Sequence, residues 1–390
     1  AVVTETYPPE VNGVAMTLGR LVDGLQARNH QVQLIRPRQH PDDLPQPTAT
    51  FTEHLQRGIA LPRYEGLQLG LPARAALTRL WTRHRPDVVQ IATEGPLGWS
   101  ALAAANKLQL PVASDFHTNF HSYSSHYGLG LLRRAIVTYL RKFHNKAAVT
   151  LVPTEGIRRE LTADGYEHIE IVGRGVDTRL FHPGRRDPAL RARWGVGESG
   201  TAVLYVGRLA AEKNLALTFR AFEAMRATNP ACRLVLVGDG PERALWQARY
   251  PDAIFCGTQT GGALAAHYAS GDVFLFPSLT ETWGNVTIEA MASGLAVVAY
   301  DCAAAEEIIR HGENGLKVSL EDEAAFIAQA VALAPDRARQ RRLGNAAAAR
   351  AAQLSWDAVI DSFERVLLRL AHPQPTTDPE PGWAAATPRC

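Results

Sequence analysis

The chain lacks most of the features that announce a special compartment or a bound cofactor. Only four of its 390 residues are cysteine, at positions 232, 256, 302 and 390. They are scattered without a Cys-x-x-Cys pair, and three lie in or beside apolar, strand-like segments, so they read as small buried hydrophobes in a reducing cytosol rather than as disulfides or zinc ligands. No apolar run approaches the roughly 20 residues that a membrane span needs, and no signal peptide opens the chain. An excess of one charge is missing too: 41 Lys and Arg stand against 39 Asp and Glu, and nothing global argues for nucleic acid. There is no Asp-x-Asp at a strand end and no Cys/His cluster, so no metal site is expected. What remains is a globular composition in a chain too long for one ordinary core, which fits two domains. Residues Ala1 to Thr4 already read as the middle of a strand, and a few residues are expected upstream of them.

The pattern along the chain alternates strand and helix, twice. Ala1–Thr6 reads as a strand and Ala15–Arg28 as a helix; between them Gly13, at a strand-to-helix turn, lets a ligand come close to the backbone. Val32–Arg36 is a strand, Pro37–Pro62 a long loop, Asp87–Ile91 and Val112–Phe116 strands, and Leu97–Leu108 a helix. Strands at Ala148–Val152 and Ile169–Val172 close a first domain, residues 1–172. Residues 173–200, rich in Gly, Pro and Arg, read as a linker. The alternation then restarts in a second domain, residues 201–355, with strands at Ala202–Val206, Arg233–Val237, Ala253–Cys256, Val273–Phe276 and Ala296–Tyr300. A terminal helix, 356–371, is expected to pack back on the first domain, and the Pro/Thr/Ala tail 372–390 reads as disordered. This predicts an α/β protein of two doubly wound, Rossmann-like halves facing each other across a cleft.

The most informative stretch runs from Phe276 to Gly294. A strand ends at Phe276, and a helix follows over Thr287–Ser293 with Gly294 as its C-cap. The loop between them therefore leaves the carboxyl end of a strand, where open α/β sheets bind ligands. Glu281 in that loop and Glu289 in the helix, with seven residues between them, accept hydrogen bonds from hydroxyls. The backbone N–H groups of Gly284, Asn285 and Val286 sit at a helix start that favours an anion. Hydroxyl acceptors flanking an anion cradle suit a sugar joined to a nucleoside through phosphates. Arg208 and Lys213, in a loop after the first strand of the same half, converge on one diphosphate in that reading.

The first half carries the positive charge. From residue 70 to 150 ten Lys or Arg stand against three Asp or Glu. Basic helices are expected over 73–85 and 128–146, the latter with Leu129, Leu132, Ile136, Tyr139, Leu140 and Phe143 as its core stripe. Such a face suits anionic lipid headgroups.

With Glu281-x7-Glu289, Arg208, Lys213, Gly13 and the Phe116-His117-Thr118 triplet in order, the chain resembles the retaining glycosyltransferases of family 4, of GT-B fold, from Ala1 to about Leu370. Val172–Phe181 and Gly238–Glu242 look most like those of the GDP-mannose-dependent α-mannosyltransferases, with glycolipid synthases as near neighbours. Trp283, where the family usually has Phe, is a departure, and Arg174 stands where many members have Asn. The resemblance implies that Arg208 and Lys213 hold the donor diphosphate, Glu281 the sugar hydroxyls and Glu289 the ribose. Asn285 and Val286 would meet the phosphates, Gly13 and Val14 would close over the donor, and His117 would sit against the transferred sugar. It further implies metal-independent transfer of a hexose, with mannose and GDP-mannose favoured, to a lipid or lipid-linked acceptor. The work would be done in the cytoplasm at the inner membrane face, through residues 73–85 and 128–146. The alternatives are a UDP-glucose or other UDP-sugar-dependent glycolipid synthase, a nucleotide-sugar epimerase, and a non-catalytic sugar binder.

Overall fold

The computed structural model describes residues 1–10, 12–40, 42–60, 68–117, 133–197, 200–279, 281 and 283–372. Among them two parallel sheets form. The first has seven strands in the order β3-β2-β1-β6-β7-β8-β9: β1 is Val2–Val3, β2 Val32–Pro37, β3 Phe51–Gln56, β6 Val89–Ile91, β7 Val112–Asp115, β8 Val149–Val152 and β9 Ile169–Ile171. The second has six, β12-β11-β10-β13-β14-β15, with β10 at Thr201–Val206, β11 Cys232–Val237, β12 Ile254–Phe255, β13 Val273–Phe276, β14 Ala296–Tyr300 and β15 Leu316–Val318. Each sheet reverses its strand order once, between β1 and β6 and between β10 and β13, and these reversals are the ligand-binding crevices of doubly wound folds. β10 is buried at all six positions, as a strand covered by helices on both faces must be, and this is why it reads as an unbroken apolar run.

Of the polar stretch expected as a loop over Pro37–Pro62, the described residues from 38 to 50 are loop, but a strand and half a hairpin follow. β3 pairs in parallel with β2, Val32 opposite Phe51; β4, Gly58–Ala60, pairs antiparallel with β5, Gln68–Gly70. The prolines that suggested a loop all precede Thr48 or follow Ala60. The buried Arg36 guanidinium gathers the excursion between the strands by meeting Asp43 at 2.6 and 3.0 Å and Glu53 at 3.2 Å.

Residues 173–200 are likewise not a free linker. Val176, Phe181, Leu190, Trp194 and Val196 belong to the same apolar core as the second sheet, and Pro188–Arg193 is a helix whose Arg191 bonds Ser270 O at 2.7 Å and Asp272 at 2.9 Å. The crossing between the halves narrows to the few residues around Gly173.

The terminal helix Trp356–Ala371 buries Ile360, Phe363, Val366 and Leu367 against Leu21, Val22 and Leu34 of the first half. Gly24 makes the fit possible, since a Cβ there would lie 2.3 Å from Ile360 Cδ1. His30 and Arg28 meet Glu364 at 2.5 and 3.2 Å beside it. Other contacts join the two halves directly: Arg20 to Asp177 at 2.7 Å, Arg159 to Glu306 at 2.6 Å, and the Glu155 N–H to Glu307 at 2.8 Å.

The two basic helices take up Arg74–Arg83 and, within the described residues, Arg133–His144. The expected stripe of the second needs correction. Leu140 and Phe143 are buried and Ile136 is half-buried, but Tyr139 is 45 % exposed, while His144, not counted in the stripe, is fully buried. Leu129 and Leu132 lie outside the described residues, as does the tail from 373 on.

Candidate active site

The second sheet's crevice is flanked by the loops that leave β10 and β13. The first, Gly207 to Asn214, carries Arg208 and ends in a 3-10 turn over Ala211–Lys213. A neighbouring loop braces it: Leu209 N–H donates to Asp239 O and Glu242 N–H to Leu209 O, both at 2.9 Å, and Gly207 N–H bonds Val237 O at 3.0 Å. This bracing demands glycine at 238, whose φ is +139° and whose Cβ would stand 2.0 Å from Gly207 O. So the backbone that aims Arg208 and Lys213 is fixed before any side chain is considered.

From the other loop comes Glu281. Lys213 Nζ forms an ion pair with Glu281 Oε1, which also accepts a 2.7 Å hydrogen bond from Ser278 Oγ. The lysine lies 5.9 Å from the centroid of the Phe276 ring. A cation and a carboxylate 68 residues apart thus meet at the strand reversal. Gly284, at φ +85°, turns the chain into the helix Asn285–Ala292. The N–H groups of Asn285 and Val286 open that helix and have no carbonyl of their own turn to bond. Gly13 of the first half faces them: a Cβ built on it would lie 3.6 Å from Asn285 Nδ2. Val14 follows at half-burial in the helix Gly13–Ala27, whose N-cap Asn12 accepts from Ala15 N–H at 2.9 Å.

Glu289 stands one turn further along the same helix, with Tyr268 OH donating to it at 2.9 Å. Desolvation pushes its carboxyl up to about 7, the tyrosine bond acting in the opposite direction. At neutral pH it exchanges its proton readily, and a ligand that offers hydroxyl donors favours its ionised form. Arg208, Lys213, Glu281, Asn285 and Gly13 are therefore gathered at the crevice, with Glu289 on the helix behind it.

His117, just past β7, is held from two sides. Arg174 Nη2 lies 3.2 Å from His117 Nδ1, and His117 Nε2 lies 3.1 Å from Asp115 Oδ2. Arginine only donates, so Nδ1 accepts and the ring proton sits on Nε2, given to Asp115. Gln90 donates to the same carboxylate oxygen at 2.5 Å. Arg174 in turn is anchored on Val172 O at 2.8 Å and Gly173 O at 3.0 Å. Burial lowers the pKa of that guanidinium and Asp115 acts against it. Both ring nitrogens of His117 are thus engaged, one by Arg174 and one by Asp115.

Sequence reasoning missed Arg174 and Asp115 as His117's partners and Gln90 as the partner of Asp115, and it missed a second buried set. Glu94 meets His144 Nε2 at 3.2 Å, and His144 Nδ1 meets Ser114 Oγ at 2.9 Å. Asp115 stands two residues before His117 and was the one local signal. The sequence also holds a His-x-x-x-His spacing, His117 to His121, that the expectation of no metal pattern passed over; His121 lies outside the described residues. Among the described residues no group of three or more His, Cys, Asp or Glu side chains is placed to hold a metal ion. Nor is any described helix long and apolar enough to cross a membrane.

Comparison with known proteins bears on this geometry. Residues 11–180 match the family described as Glycosyltransferase Family 4, and residues 200–336 the family described as Glycosyl transferases group 1. A GDP-mannose-dependent alpha-mannosyltransferase of Mycolicibacterium smegmatis is 34 % identical over 95 % of this chain and 98 % of its own length. A sulfoquinovosyl transferase of Arabidopsis thaliana is 31 % identical over 77 % of this chain and 60 % of its own. Among solved structures, a sucrose-phosphate synthase from Thermosynechococcus elongatus superposes with a TM-score of 0.76 at 18 % identity, covering 95 % of this chain and 98 % of its own. An Anabaena protein in complex with UDP and glucose gives 0.71 at 18 % identity, over 94 % and 98 %.

Proposed function

The chain belongs to glycosyltransferase family 4, with the GT-B fold, and on that premise we propose that it moves a hexose from a nucleoside diphosphate sugar to a lipid or lipid-linked acceptor, with retention and without a metal ion. Mannose is the favoured sugar and GDP-mannose the favoured donor, because GDP-mannose-dependent alpha-mannosyltransferases align with nearly the whole chain. The observation that carries the reading is the Lys213–Glu281 pair at the strand reversal, beside the start of the helix Asn285–Ala292.

In this reading Lys213 leaves Glu281 for the diphosphate, and Arg208 joins it. Glu281 then receives sugar hydroxyls, Glu289 the ribose, and the Asn285 and Val286 N–H groups the phosphates. Gly13 and Val14 close over the donor, with His117 against the transferred sugar. The bond between the anomeric carbon and the phosphate oxygen breaks as the acceptor oxygen bonds that carbon from the same face. The acceptor's proton passes to the departing phosphate oxygen, whose charge Arg208 and Lys213 stabilise. No paired carboxylates of the glycosidase kind are required. The acceptor is reached from the cytoplasmic side, at the inner face of the cell membrane.

Calorimetry with GDP, UDP, GDP-mannose and UDP-glucose in the presence of EDTA tests the donor side. Selective binding of the guanine nucleotides, followed by release of GDP when lipid vesicles are added, is the expected result. Selective binding of UDP and UDP-glucose would instead assign a glucosyl donor, as in the Anabaena complex. Binding of none of the four, or an epimerised sugar nucleotide as product, overturns transfer.

A further inference from the structure

Arg174 is buried, and among the described residues no carboxylate forms an ion pair with it. A cation in that state is costly, because uncharged acceptors restore only part of the solvation that burial removes. An apolar side chain of the same length would fill the space at less cost. The backbone around it is also closely fixed. Val172 N–H bonds Val152 O at 2.9 Å on one side, and Val176 N–H bonds Leu354 O at 3.0 Å on the other. Between them Gly175 lies so near the returning chain that a Cβ would stand 2.7 Å from Trp356 N. The arginine is thus planted where the chain crosses between the halves, on a segment pinned at both ends.

From there its fork divides. Nη1 donates to Val172 O and Gly173 O, and Nη2 reaches His117 Nδ1 at 3.2 Å. The opposite ring nitrogen is held from the sheet. Asp115 closes β7, and the carboxylate oxygen that meets His117 Nε2 also receives Gln90 of β6. A ring with a donor on Nδ1 and an acceptor on Nε2 has one tautomer. It has one orientation as well, since a half-turn about Cβ–Cγ would present carbon to both partners.

We propose that Arg174 is a positioning residue for the transfer step, acting through His117, whose tautomer and orientation it fixes before the sugar arrives. The proposal rests on His117 lying against the transferred sugar, as in the proposed function, and names what holds it there. Misplacing a group beside the reacting centre by about 1 Å can cost on the order of 10²-fold in rate. The stability lost to a buried cation is therefore offset in turnover.

The first readout is nuclear magnetic resonance of the full chain with nitrogen-15 in its histidine rings, the His117 signals being assigned by their loss in His117→Gln. Wild type should show Nδ1 unprotonated and Nε2 protonated, with no ligand added. Arg174→Met keeps the length and removes every donor, and His117 should then exchange between tautomers. With GDP-mannose and lipid vesicles its kcat should fall about 10- to 100-fold, while the donor KM and the affinity for GDP stay within about twofold. Arg174→Lys, which retains a donor but not the fork, should recover part of the rate. In a His117→Ala background Arg174→Met should cost less than about twofold more, since nothing is left to position. Where Arg174→Met does not fold, the wild-type spectrum and Arg174→Lys carry the test. An Nδ1-protonated ring in wild type, a His117 spectrum unaltered by either substitution, or full additivity with His117→Ala overturns the proposal. So does an equal fall in kcat and GDP affinity, which would make Arg174 a structural residue only. A wild type that turns over no GDP-mannose fails the donor reading instead, and the ring spectra then decide this one.

Discussion

The two strand reversals of this molecule have the same topology and opposite electrostatics. At the one between β10 and β13, the charged groups are partnered with each other across the crevice, Lys213 with Glu281, and sit half-buried where a ligand can replace either partner. At the one between β1 and β6, the corresponding loops supply Glu5 and Glu94, both sealed in. Glu5 is 8 % exposed, and a Cβ on Gly95 would collide with its carboxyl at 2.1 Å. Burial pushes Glu5 up to about 7, against the N–H groups of Leu97 and Gly70, and the nearby Glu94 adds to the rise. One crevice keeps its charges exchangeable, the other consumes them in its own walls. The same fold thus yields a binding surface in one half and a rigid support, carrying His117, in the other.

Breaking the exchangeable side should cost most. Lys213→Ala removes a cation from the leaving diphosphate and leaves Glu281 unpaired, and a loss of about 10²–10³-fold in kcat is expected. Circular dichroism and the thermal midpoint should stay near wild type, and a wild-type rate would remove Lys213 from the site.

Glu289 gives an intermediate effect, and its sign follows from its raised pKa. Ribose hydroxyls that donate to the carboxylate bind the ionised form, so nucleotide affinity should rise with pH through about 7 and then level off. Calorimetry should find binding about tenfold weaker at pH 6 than at pH 8, with a proton released at the lower pH. In Glu289→Gln the dependence attributable to this group should vanish; a pH profile identical to wild type would contradict the assignment.

The sealed side gives the smallest effect, and in stability rather than turnover. A carboxyl whose pKa is raised on folding is held protonated by the folded chain, so stability falls as pH climbs from about 4.5 toward 7 and is flat above it. The full penalty at pH 8 is about 3 kcal/mol at most. Glu5→Gln should therefore raise Tm relative to wild type at pH 8 and scarcely change the difference at pH 5. A uniform shift at both pH values would show that the substitution acts through packing instead.

The same contrast sorts what was legible in the sequence. In the second half the central strands are apolar and buried on both faces, so Val273–Phe276 and Ala296–Tyr300 appear in the structure with the limits expected of them. Strand β15 escaped notice because three residues including Lys317 carry no period. In the first half β3 was hidden because Phe51–Gln56 holds Thr, Glu, His and Gln among its six residues and follows a run of prolines. Glu281 and the basic loop were readable because each sits in a short segment with its own local chemistry. The Arg174–His117–Asp115 arrangement was not, since its ends are 59 residues apart in sequence and only the crossing of the chain near Gly173 brings them together. Tyr139 illustrates the limit of helical periodicity: the period gives its face, but the ring packs on Trp99 from one side and stays open to solvent.

The return of the helix Trp356–Ala371 to the first half has a consequence for how the molecule is made. A ribosome delivers the first half before any of the second, yet the slot over Gly24 and the surface of Leu21, Val22 and Leu34 are completed only by residues that emerge after the second half. The nascent first half must therefore wait with an apolar seam uncovered. The half that is synthesised first is finished only after the second, and the emergence of the helix Trp356–Ala371 doubles as the step that locks it.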